Sequence, residues 1–242
     1  LGNSLLYIAM LFAPVLLAGI LLFYVKFSES SLKLLLAFSA AYLIGLCFLH
    51  LVPEIFSVPT SPRPGLWIIA GFFIQVLLEF LSSGIEHGHA HIHAHDKKFP
   101  LGLLIGLYLH SFIEGLPLAG IFSGSQSREE LSFLTGVTLH NIPVSLALTG
   151  LLLHEHITKN KIVLYLLLFS LMAPLGALFG NFVIANYTGS LNLSVIFTGI
   201  VVGIFLHIGT TIIFEGNEKD HRYHINKLVS IIVGAALAYA LT

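Results

Sequence analysis

"LYLHSFIEGLPLAG", residues Leu107–Gly120, sets a carboxylate, Glu114, four residues after a histidine, His110, in a stretch that is otherwise nearly all apolar. A spacing of four is about one helical turn, so the two side chains share a helix face. A charged group at the centre of a bilayer costs about 2.5 kcal/mol or more. The rest of the chain must supply what offsets that cost.

Composition sets the class. Of 242 residues 56% are hydrophobic and 10% charged, where a soluble domain carries roughly 25% charge. The mean hydropathy is +0.93. These values fit an all-α polytopic membrane protein, with the lipid bilayer as its first partner. The formal net charge is −1 with no basic patch, so nucleic acid is not expected as a partner. Cys47 is the single cysteine and rules out an intrachain disulfide. The first apolar run lacks a basic flank, so no cleavable signal peptide is expected. The chain opens on Leu1 rather than Met, so a trimmed N-terminus is expected.

Apolar runs near the ~20 residues needed to cross a bilayer fall at 5–25, 32–55, 65–84, 100–122, 131–153, 161–186, 193–214 and 225–241. Eight spans follow, joined by short loops rich in turn residues such as "SVPTSPRPG" and "NYTGSLN". No second soluble domain fits, so residues 1–242 read as a single transmembrane domain. Lys26, Lys33, Lys97, Lys98, Lys159, Lys161, Lys219, Arg222 and Lys227 flank the odd-numbered loops, and only Arg63 and Arg128 the even ones. That bias makes the odd loops cytoplasmic and both termini extracytoplasmic. The expected location is a cell membrane, plasma or inner, crossed many times.

At 1.5 Å per residue His110 lies roughly 15 Å into the fourth span, Glu114 roughly 21 Å, and His140 of "TLHNIPVSLALTG" roughly 13 Å into the fifth from the other surface. In a core about 30 Å thick all three fall in the middle third. Consecutive antiparallel helices usually lie side by side, so His140 can close a site with the other two. Two imidazoles and a carboxylate suit a divalent cation, tetrahedral Zn²⁺ in particular. The alternative is a purely structural hydrogen-bonded trio.

Pro117 and Pro143 each follow a trio member by three residues, and Pro174 interrupts the sixth span. Broken helices that line a cavity are expected there. "HSFIEGLPLAG" and "HNIPVSLALTG" also share His, two Leu and a final Gly in register, the echo of an inverted repeat.

Other candidates lie at other depths. His50 and Glu54 are outer, His207 and Glu79 inner, and His154, Glu155 and His156 close the fifth span on the cytoplasmic side. They can be read as capture and exit stations on a metal path, or as solvated helix ends. His87, His89, His91, His93 and His95 alternate with small residues in the third loop, residues 85–98. Such a tract binds zinc-like metals loosely, as a cytoplasmic buffer or sensor.

With these motifs the sequence resembles the ZIP (Zrt/Irt-like) family of metal transporters. "HSFIEGLPLAG" resembles the family's fourth-helix signature, "HNIPVSLALTG" its fifth, "HLVPE" (residues 50–54) its second and "GIFLHIGTTIIFE" (residues 203–215) its seventh. The likeness runs over essentially the whole chain. It implies uptake of a divalent ion, zinc foremost, into the cytoplasm, by an elevator-like movement of helices one, four, five and six against the other four.

The chain also departs from the family pattern. Many members read His-Asn-x-Pro-Glu-Gly in helix four and carry a further glutamate in helix five. Here Ser111 and Ile113 replace the Asn and Pro, Val144 stands in place of the helix-five acid, and Ala173 precedes Pro174 where helix six often has Glu. One midplane metal, held by His110, Glu114 and His140, is therefore expected. The ion is substrate; no cofactor is expected, and no Walker-type phosphate loop is present. The sequence is compatible with a homodimer.

Two other readings compete with transport. An intramembrane zinc hydrolase would use His110, His140 and His207 as ligands, with Glu114 as base and Ser111 nearby. No HExxH motif supports it. The other is a metal sensor that does not transport and uses only the histidine loop.

Overall fold

The computed structural model describes residues 2–58, 63–82, 101–122, 128–214 and 221–241. Among the described residues eight helical spans are long and apolar enough to cross a membrane: Ser4–Leu21, Glu29–Ser57, Pro64–Leu81, Leu101–Phe122, Arg128–His154, Lys159–Asn186, Leu193–Phe214 and Arg222–Leu241. The chain is thus an all-α, multi-pass membrane protein. The second span starts earlier than the apolar run indicated, because Ser28 caps it by accepting the Ser31 N–H at 3.0 Å. The fifth starts at Arg128 and the eighth at Arg222, where charged residues continue the helix beyond the apolar core. The first stops at Leu21, ahead of a turn.

The prolines act differently from the sequence expectation. Pro143 and Pro174 lie inside continuous helices. The fourth span tightens from α-helix to 3₁₀ over Leu116–Phe122, where Pro117 has no N–H to continue the α ladder. The second span carries an irregularity that its apolar pattern hid. Cys47–Leu51 widens into a π-helical turn just before Pro53, and such turns recur at functional sites.

Both termini lie at one end of the bundle. The Ser4 hydroxyl donates to the Ile121 carbonyl at 3.4 Å, and the Ser132 hydroxyl to the Leu241 carbonyl at 2.7 Å. Arg63 and Arg128 share that end, while Lys26, Lys33, Lys159, Lys161, Arg222 and Lys227 sit at the other.

Lipid tails are as apolar as leucine, so helices in a bilayer associate by close packing of small residues rather than by hydrophobic exclusion. Here the closest approaches sort the spans into two groups. Gly199 and Gly203, a GxxxG pair on the seventh span, meet the third: a Cβ on Gly203 would collide with the Ile68 carbonyl oxygen, and one on Gly71 with that of Ile200. Gly234 of the eighth span presses in the same way on Phe38 of the second. In the other group Gly176 and Gly180, a second GxxxG pair on the sixth span, meet the Phe112 and Leu116 carbonyls of the fourth. A Cβ on Gly19 of the first span would lie 2.6 Å from Leu166 of the sixth and 3.0 Å from Thr149 of the fifth. Between the groups the backbone approach is wider: a Cβ on Gly102 of the fourth span would lie 3.3 Å from the Leu81 carbonyl oxygen of the third. At Gly136 of the fifth span, a Cβ would meet only side chains of the second, Tyr42 nearest at 3.0 Å.

Candidate metal site

The fourth and fifth spans bring His110, Glu114 and His140 together, all fully buried at 0% exposure. One ligand atom from each lies within 4.8 Å of the others. His110 Nε2 is 3.0 Å from Glu114 Oε1, and the imidazoles of His110 and His140 meet edge to face with centroids 5.8 Å apart. The i, i+4 spacing on the fourth span makes the first contact. The antiparallel neighbour supplies the second.

The donor set fits a divalent cation. Ligand atoms about 2.0–2.1 Å from one tetrahedral zinc stand about 3.3 Å apart, so the His110–Glu114 pair at 3.0 Å is near that spacing and His140 offers a third ligand atom within 4.8 Å. Glu114 Oε1, fully buried, has His110 Nε2 as its close neighbour at 3.0 Å. A buried carboxylate set between two imidazoles is a donor set that a shared cation would join.

Two more residues complete the site, and the sequence reading did not assign either to it. The Asn141 side-chain amide donates to Glu114 Oε2 at 3.0 Å and to the Val137 carbonyl at 3.0 Å. Its Oδ1 is buried, with no hydrogen-bond partner among the described residues. Gln75 of the third span, fully buried, places Oε1 3.1 Å from His110 Nδ1. A lone glutamine in the apolar run of the third span was the available signal. Val144 and Ala173, at 0% and 4% exposure, supply hydrocarbon where family acids were looked for.

The remaining candidates lie away from the trio. His207 Nε2 binds Glu79 Oε2 at 2.8 Å, with the Phe72 ring 4.8 Å from its own. His207 therefore does not join His110 and His140 as the hydrolase reading required. It is held on the seventh span against the third, toward the opposite end of the bundle from the termini. His50 sits in the π turn, its Nε2 buried without a hydrogen-bond partner among the described residues. Glu54 is exposed, and with Glu129 and Glu130 it lines a cavity of about 300 Å³ at the terminal end. Leu51, Leu118 and Phe133, all buried, line the same cavity. His154 is exposed on a cavity of about 410 Å³ at the opposite end, and His156 is exposed in the turn that follows, with φ of 57°. The histidines at 87, 89, 91, 93 and 95 lie outside the described residues.

A family model described as "ZIP Zinc transporter" matches residues 99–242, more than half the chain. The chain belongs to the ZIP family. It is a family of transporters, and a reading as an enzyme falls away with it. Similar ZIP-named relatives include zinc transporter ZIP9-B of Xenopus laevis, 24% identical over 86% of this chain and 82% of that protein. Zinc transporter ZIP1 of Danio rerio is 25% identical over 64% of this chain and 51% of its own length. Protein zntD of Dictyostelium discoideum is 33% identical over 57% of this chain and 21% of its own. The fourth- and fifth-span motifs that build the trio both fall within the matched segment.

Proposed function

We propose that this ZIP-family chain carries a divalent metal ion, zinc foremost, into the cytoplasm through one midplane site formed by His110, Glu114 and His140. The observation that carries the reading is the full burial of this trio, whose ligand atoms are within 4.8 Å of one another. A bound cation offsets the desolvation of Glu114, and release of the ion demands a rearrangement that opens the site.

Lysine and arginine crowding at the end away from the termini supports a cytoplasmic assignment for that end. The ion then enters through the cavity beside Glu54, Glu129 and Glu130 and leaves past the cavity beside His154. His207, tied to Glu79, serves the packing of spans three and seven. An interior-negative potential supplies about 2.3 kcal/mol per charge per 100 mV, so inward movement needs no nucleotide. The division of glycine contacts supports an elevator in which spans one, four, five and six slide as a body, because the tightest backbone approaches fall inside each group, while between them the approach at Gly102 is 3.3 Å and side chains meet at Gly136. One carboxylate with neutral imidazoles leaves a bound M²⁺ with about one uncompensated positive charge, which favours release over tight holding.

Uptake of radioactive zinc into proteoliposomes, against a panel of competing metals, tests the proposal. The wild type should show saturable inward flux, and Glu114→Ala should lose it while eluting as a folded protein. Unchanged flux in that variant removes the assignment. Deleting residues 87–95 should preserve basal flux; loss of all function with the tract would favour the sensor reading.

A further inference from the structure

Gln75 has no role in the transport route, yet it is a polar side chain at 0% exposure within an apolar span. Burying a carboxamide there is unfavourable unless its hydrogen-bonding groups are used. Its Oε1 stands 3.1 Å from His110 Nδ1. A carbonyl oxygen only accepts, so the shared proton belongs to Nδ1 of the imidazole. In the neutral imidazole that choice makes Nε2, 3.0 Å from Glu114 Oε1, the nitrogen whose lone pair a cation between the two would use.

We infer that Gln75 is a positioning residue for metal binding: it fixes the His110 tautomer so that Nε2 is the ligating atom, and it ties the site to the third span. The inference rests on the metal-site reading above and deepens it. Partners of this kind on a ligating histidine set ring orientation and ligand basicity. The bond also crosses between the two groups of closely packed spans, since Gln75 is on the third and His110 on the fourth. It therefore holds the site in the arrangement seen here and breaks whenever one group slides past the other.

Zinc affinity of purified protein and uptake kinetics, for wild type, Gln75→Met, Gln75→Glu and Glu114→Ala, test this. Gln75→Met keeps the volume and removes the acceptor. It should lower zinc affinity by about 10- to 100-fold, raising KM without a matching loss of turnover. Gln75→Glu restores an acceptor and should recover most of that affinity. A residue needed only for packing would be served as well by Met as by Glu. Nitrogen-15 spectra of labelled histidine in the zinc-loaded wild type give a second readout, independent of any variant's folding, and should show His110 protonated at Nδ1 and metallated at Nε2. Metallation at Nδ1, or wild-type affinity in Gln75→Met, overturns the inference while leaving the trio in place. Wild-type affinity in Glu114→Ala removes the trio and the inference together.

Discussion

The Asn141 amide nitrogen donates to Glu114 Oε2 at 3.0 Å, joining the fifth span to the carboxylate of the fourth in the dry centre of the bundle. It holds one carboxylate oxygen and leaves Oε1 turned toward His110. The residue next to His140 thus orients the acid, and it does so as a neutral group.

That neutrality sets the charge of the loaded site. Asn141→Asp adds a second carboxylate beside Glu114 and balances the remaining charge of a bound M²⁺. Zinc should bind at least about tenfold tighter, as expected for one further charge in a low-dielectric site, and turnover should fall as release slows. Equilibrium competition against a chromogenic chelator, with initial uptake rates, checks both. Weaker binding would contradict the charge argument.

The glycine contacts predict a stability effect far from the metal. Gly203→Val drives two methyl groups into the third span, where even a Cβ would collide with the Ile68 carbonyl. Overpacking of this kind costs about 1–3 kcal/mol, so the variant should melt well below the wild type in detergent. Gly65→Ala is the control, because among the described residues its added methyl meets nothing within 4 Å beyond its chain neighbours and its own helix backbone. Its melting temperature should stay near the wild-type value.

His207 and Glu79 form a partly exposed pair, with side chains 14% and 32% accessible. A pair of that kind contributes up to about 1 kcal/mol. His207→Gln should therefore lower thermal stability slightly and leave zinc affinity at the midplane site unchanged. A tenfold loss of affinity would place His207 among the ligands.

The eight spans and the trio were legible in the sequence for one reason: each rests on local spacing. A ~20-residue apolar run declares a span, and His110 and Glu114 share a helix face whatever surrounds them. Closure of the site by His140 needed only the rule that sequential antiparallel helices are neighbours. Gln75 and Asn141 were not legible as site residues, because their contacts depend on how helices rotate about their axes. The prolines misled for a related reason. A missing N–H breaks a helix only where the neighbours let it, and Pro143 and Pro174 sit buried in continuous helices while Pro117 lies in a 3₁₀ segment at a span end. The two GxxxG pairs were visible all along, in "GIVVG" and "GALFG". Only the fold says which partners they meet.

The most direct measurement is anomalous diffraction, at the zinc edge, from crystals of the zinc-loaded protein in lipid. The account predicts a peak among His110 Nε2, Glu114 Oε1 and a ring nitrogen of His140, at about 2.0–2.2 Å from each, and no such peak in Glu114→Ala. A peak that survives in that variant, or one that lies elsewhere in the membrane interior with the trio empty, would contradict it.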